Sequence, residues 1–262
     1  MKKTIKKLVA AVFALSLVFS LAACNGSNEE TTEVTTTEPP VISKTEQPRT
    51  STEAIAYFNL VMDAVKAGKP AVEVKVSKNI HDIESDNAKL KAAIPTIKKY
   101  MLNTKADGAE FGDDLTDIFP VKGQSWGSKL TVNDVRYANC LEALKTYEIT
   151  IRLADEKDAL PLTSAHGKAF DLTDKAAILT EFEKAADYIK VDSLDLTYTG
   201  SFIKCSVDRA TDEVLSVTYY LNANAVSSVT GTGTLEGMGT VPLNLRYDST
   251  ITYNLTWTVD ED

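Results

Sequence analysis

From Leu243 to Val259 apolar and polar side chains alternate without a change of phase. One phase reads Leu243, Leu245, Tyr247, Ser249, Ile251, Tyr253, Leu255, Trp257 and Val259. The other reads Asn244, Arg246, Asp248, Thr250, Thr252, Asn254, Thr256 and Thr258. Successive strand side chains point to opposite faces, so this pattern predicts a strand with one dry and one wet face. At about 3.3 Å per residue the stretch runs to about 56 Å, several times a usual strand. A second alternation, Leu215, Val217, Tyr219, Leu221, Ala223 and Ala225, supplies its partner.

Elsewhere the period changes. Thr50-Ser51-Thr52-Glu53 fits a capping box, and Ile55, Phe58, Val61, Met62 and Val65 form a helical stripe that Gly68 and Pro70 end. Leu90, Ile94, Ile97 and Met101 predict a second helix, kinked at Pro95. Thr173 as N-cap, with Ile178, Phe182, Ala185 and Ile189, predicts a third. Ala71–Ser77 alternates as a strand, Val135–Ala143 and Tyr147–Ala154 read as a hairpin, and Gly200 marks a turn before Ile203, Cys205 and Val207. Helices gathered ahead of runs of strands predict an α+β fold: a large antiparallel curved β-sheet with about three helices packed on one face.

Composition narrows the function classes. The 262 residues hold 28 Lys and Arg against 37 Asp and Glu, a net charge of −9. Residues 1–23 carry Lys2, Lys3, Lys6 and Lys7 and no acid, so the remainder has 24 bases against 37 acids, or −13. A chain that acidic repels phosphate backbones, and no nucleic-acid partner is expected.

Lys2–Lys7 followed by the apolar run Leu8–Leu21 reads as a signal peptide rather than a span. Its end, Leu21-Ala22-Ala23-Cys24, resembles the lipobox of bacterial lipoproteins. That resemblance implies cleavage before Cys24, a diacylglycerol on its thiol, and lipid anchoring (diacylglycerol and palmitate chains) at the extracytoplasmic face of the cell membrane. Residues 25–50, rich in Thr, Glu and Pro, bury too little to fold and read as a disordered tether of about 28 Å mean span. The expected organisation is signal peptide 1–23, lipidated Cys24 with tether 24–50, and one domain over 51–262. Cys140 and Cys205 sit in no Cys-x-x-Cys and are expected to be free and buried.

The mature chain also resembles uncharacterised Gram-positive surface lipoproteins. The shared segments are Tyr57-Phe58-Asn59 with Val65-Lys66, Phe119-Pro120-Val121 with Ser125-Trp126, His166-Gly167-Lys168-Ala169-Phe170, and Val207-Asp208. This likeness implies location and fold continuity, and it implies no catalytic residue.

Candidate chemistry is sparse. His81-Asp82 with Glu84 matches no zinc spacing, and Asp107, Asp113, Asp114 and Asp117 miss the EF-hand register. Ser164, His166 and Asp171 lie close in sequence without a Gly-x-Ser-x-Gly elbow. The glycines at 231–239 run from strand to strand, whereas a phosphate loop runs from strand to helix. The expectation is therefore no catalytic residue, no metal and no cofactor, and a non-enzymatic binding or interaction role. Trp126, Tyr253, Trp257 and His166 are the candidate contacts with a cell-wall or protein partner, or an apolar ligand. A carrier of a lipid or small apolar ligand with a half-barrel cavity and a hydrolase using His166 are the alternatives. The wet face of Leu243–Val259, with one acid and one base, is nearly neutral and is the best candidate contact surface.

Overall fold

A computed structural model describes residues 46–257, apart from 86, 89–90, 92–107, 184–185 and 188. In chain order the elements are α1 (Ser51–Gly68), β1 (Ala71–Glu84), β2 (Val135–Glu142), β3 (Thr146–Leu153), β4 (Glu156–Lys157), α2 (Lys175–Glu183), β5 (Ile189–Tyr198), β6 (Phe202–Asp208), β7 (Val214–Gly231) and β8 (Thr240–Thr256). The strands form one antiparallel sheet in the order β1-β8-β7-β6-β3-β2, with β5 on β7 and β4 on β5.

The helix α1 forms as its sequence predicts. Thr50 accepts from Glu53 N, Glu53 answers to the Thr50 N–H, and Lys69 closes the helix at a φ of 50°. Its stripe, extended by Ala54 and Tyr57, is buried on the sheet. Each such large side chain contributes about 1.5–3 kcal/mol.

The β7–β8 ribbon is the frame. Its register runs unbroken from Ser216↔Asn254 to Thr230↔Thr240. On the other edge of β7, β6 pairs the first half and β5 the second. Because β5 and β6 run the same way along β7, Gly200 is not the apex of a hairpin, as its sequence suggests. Thr199–Ser201 instead insert a kink into one nearly continuous strand, and Gly200 takes a φ of 67° that favours glycine there. At the same level β1 bulges between Ile80 and Asp82, and β3 breaks before β4. Extra residues aligned across neighbouring strands crease the sheet.

The crease divides the core in two. The first cluster sets α1, Leu115, Phe119 and Phe170 against Ile149, Ile203, Val217 and Tyr253. The second sets Ile178 and Phe182 of α2, with Leu235 and Met238, against Leu196, Ala225, Leu245 and Tyr247. Both clusters use the dry phase of β8, so both helices cover one face.

Several expectations change. Two α-helices stand among the described residues, fewer than the three expected; the pattern at Leu90–Met101 lies outside them apart from Lys91. The helix α2 is capped by Asp174, not Thr173: its Oδ1 accepts from Ala177 N at 2.6 Å. Ile189 begins β5 instead of completing the α2 stripe. A register shift at Ser206/Val207 puts Val214 inside and leaves Leu215 exposed. Gln47 and Pro48 already belong to the domain, since Gln47 donates to Cys140 O at 3.2 Å and Pro48 is buried.

Cys140 and Cys205 are free and buried, as expected. Both pair with Ile149, one from each side. Two strand spacings, about 9.6 Å, separate them, beyond disulfide reach.

Candidate functional site

The four predicted contact residues do not meet. Tyr253 is buried, its ring 5.0 Å from Phe119 and 5.9 Å from Tyr219, both edge-on. Trp257 donates from Nε1 to Val214 O at 2.7 Å and lies against the bare Cα of Gly68, where a Cβ would come within 2.6 Å of the indole. Tyr253 is thus part of the core, and Trp257 packs half-buried against its edge. Trp126 is half-buried under Lys129, whose Nζ lies 4.4 Å above the ring.

His166 is wholly buried. Glu156 accepts from Ala165 N at 2.7 Å, His166 N at 2.9 Å and His166 Nδ1 at 2.6 Å. A carboxylate acceptor places the imidazole proton on Nδ1 and leaves Nε2 bare. Nε2 has no partner, and burial holds the pKa below its usual value despite Glu156. Phe170 at 5.8 Å and Tyr198 at 5.2 Å close over the ring. Ser164 is engaged elsewhere, donating to Leu160 O at 2.8 Å. The nucleophile–base arrangement is not assembled.

The remaining candidates also resolve into local structure. His81 sits at the β1 bulge and pairs with Asp248. Asp113 and Asp114 accept from their own loop, at Glu110 N and Thr116. Asp107 lies outside the described residues.

Beside His166 the chain opens into a cleft of ≈ 250 Å³ walled by Val121, Pro161, Leu162 and Phe170. Asp171 lines it, accepts from Lys122 N at 2.7 Å, and is pushed up in pKa by burial. Beneath the cleft rim, Lys66 on α1 donates from Nζ to Val121 O and Gln124 O, both at 2.7 Å. Burial lowers its pKa to about 8. Distant segments thus converge on α1: Lys66 ties it to the Val121–Gln124 loop, and Tyr57 reaches Asp212 beyond the end of β6, 2.6 Å from its hydroxyl. Lys66→Met is expected to destabilise the domain by about 2–4 kcal/mol in a urea melt, because two carbonyls lose their donor. In the unaltered chain, Lys66 favours folding more as pH rises from about 8 towards 10.5, since the unfolded lysine holds its proton longer.

The sheet's outer face is different in kind. Read across the strands, Tyr137, Arg152, Phe202, Tyr220, Thr250 and Ser77 form one row. The Phe202 and Tyr220 rings stack at 4.8 Å and 20°. That separation equals the strand spacing, so the rings stand off the sheet and present their edges. Arg152 lies 5.9 Å and Lys204 5.6 Å from the Phe202 centroid, and Arg152 Nε donates to the Tyr137 hydroxyl at 3.4 Å. The flanking row is Asn139, Thr150, Lys204, Thr218, Thr252 and Lys75, with Thr218 and Thr252 hydroxyls 3.0 Å apart. Asp248, expected to be wet, is buried beneath Asn79 and His81. Sequence reading missed the row because its six members come from six strands and each is isolated in sequence. Their shared phase with the wet positions of β8 was the available signal.

No family model, no curated protein and no solved structure matches this chain.

Proposed function

We propose that the chain is an extracytoplasmic lipoprotein held to the membrane through acyl chains on Cys24. Its folded part acts as a non-enzymatic binding module and makes contact through the outer face of the sheet. The anchor rests on the basic start, the short apolar run and Leu21-Ala22-Ala23-Cys24 in register. Two or three acyl chains anchor stably, at about 0.8 kcal/mol per buried CH₂.

One observation carries the binding role: the two faces of the sheet are treated differently. The inner face is filled by α1, α2 and the segments around Phe119, Phe170 and Leu235. The outer face sets stacked rings, cations and hydroxyls in rows across six strands. The filling of the inner face around Leu245, Tyr253 and Leu255 takes away the motive for the carrier of a lipid or small apolar ligand. The burial of His166 does the same for the hydrolase.

In cells fed labelled palmitate, the chain is expected to take up label and sediment with membranes, and Cys24→Ala is expected to abolish both. Label on the Cys24→Ala chain ends the anchor reading. Thr218→Glu with Thr252→Glu places two charges on the outer face and is expected to lower retention on isolated cell envelopes at least tenfold. Unchanged retention ends the contact-surface reading.

A further inference from the structure

This inference rests on the outer face being the contact surface and names the partner class. We infer that Tyr137, Arg152, Phe202, Tyr220 and Lys204 form a binding site for an anionic polysaccharide, a chain of sugar rings carrying carboxylate or phosphate groups.

The charges are the first reason. In a chain with more acids than bases, Arg152 and Lys204 are exposed and enter no ion pair among the described residues. Glu148, the acid of β3 on this face, is engaged by Thr146 at 2.7 Å and Ser206 at 2.8 Å. Both cations rest on one ring, Phe202, which orders them beside each other.

The rings are the second reason. An aromatic edge is electropositive, so the upright Phe202–Tyr220 pair favours oxygen lone pairs over an apolar body. The same orientation leaves Tyr137 and Tyr220 to offer hydroxyls. Thr250 in the row, and Thr150, Thr218 and Thr252 in the flanking row, supply both donors and acceptors, as the hydroxyls of a sugar chain require. An apolar partner would leave the Thr150 and Thr250 hydroxyls, which lack the mutual hydrogen bond of Thr218 and Thr252, without a partner. The row spans six strands, about 24 Å, enough for several sugar rings of a linear chain.

Local charge, not net charge, sets the affinity. The surrounding acids repel a polyanion at long range, but beyond about 8 Å physiological salt screens them, so the local cations decide. An acidic peptide would use the cations and not the hydroxyl rows, and a neutral glycan the reverse.

The test uses the full-length chain in detergent micelles with four immobilised probes: polygalacturonate, phosphorylated dextran, neutral dextran and polyglutamate. Retention by one or both anionic glycans is expected, with neutral dextran and polyglutamate at least tenfold weaker. The glycan that binds identifies the charged group as carboxylate or phosphate. Arg152→Gln with Lys204→Gln is expected to cut that retention at least tenfold while leaving the melting temperature within about 2 °C. Equal retention on neutral dextran or polyglutamate, undiminished binding by the double variant, or no binding to either anionic glycan overturns the inference. In the last case envelope retention through the outer face still stands or falls separately, by the Thr218→Glu and Thr252→Glu result.

Discussion

Raising the pH from about 9 to 12 is expected to unfold this protein, as followed by far-ultraviolet circular dichroism and tyrosinate absorbance. The cause is a set of phenols and thiols that folding keeps from ionising. Burial pushes Tyr198 up to about 12 and Cys140 up to about 11. Tyr57, Tyr219, Tyr247, Tyr253 and Cys205 are raised as well, each chiefly by burial. In the unfolded chain these groups ionise near 10 for tyrosine and near 9 for cysteine. Their folded values are higher, so the stability they contribute is complete below pH 9. It is lost as pH rises, because the unfolded state sheds protons first. Tyr198 alone accounts for roughly 3 kcal/mol once two pH units are crossed. Several such groups exceed the 5–15 kcal/mol that holds a domain together. The loss outweighs the opposite contribution of Lys66 over the same range. An unfolding curve flat to pH 12 would show that these tyrosines are not packed as described.

The second large effect is expected at Glu156. Its carboxylate accepts three hydrogen bonds from Ala165 and His166, tying β4 to the segment that walls the cleft. Glu156→Ala leaves two backbone N–H groups and the Nδ1–H of a buried imidazole without acceptors. The expected loss is about 3–5 kcal/mol in a denaturant melt. Glu156→Gln keeps one acceptor oxygen and is expected to lose less. In the unaltered chain the depressed pKa of His166 makes acid destabilising. Stability is retained above about pH 6.5 and falls as pH drops through the folded value, where the buried ring must accept a charge. A Glu156→Ala chain as stable as the parent would show that these contacts contribute nothing.

The elements were legible wherever local periodicity and burial agreed. The α1 helix could be read from Thr50 to Gly68 because its cap, stripe and stop are all local. The hairpin of β2 and β3 and the long ribbon could be read because each has a solvated face, which keeps the alternation visible. Where a position answers to a neighbouring strand, the reading failed. Gly200 looks like any turn glycine, and only pairing along β7 shows that it kinks a continuing strand. Leu215 keeps perfect phase in sequence and loses it to a register shift against β6. Asp174 displaced Thr173 as cap because two adjacent residues of similar capping chemistry differ only in backbone placement.

The candidate site divides the same way. Alternation alone marked the outer phase of Leu243–Val259 as a contact surface, because an exposed face must be polar whatever it binds. It could not show that Asp248 is buried there, since that depends on His81 and Asn79 arriving from β1, more than 160 residues away in sequence. Nor could it join Tyr137, Arg152, Phe202 and Tyr220. The sequence by itself determined that a long amphipathic ribbon exists, which side of it is dry, and that a basic and then apolar stretch ending at Cys24 precedes an acidic remainder. Those properties follow from spacing and composition within one stretch. Tertiary structure alone decided which side chains on the wet side stand next to one another. Register between strands is set by the packing of the opposite, buried face, where a slip of one residue would turn every side chain over.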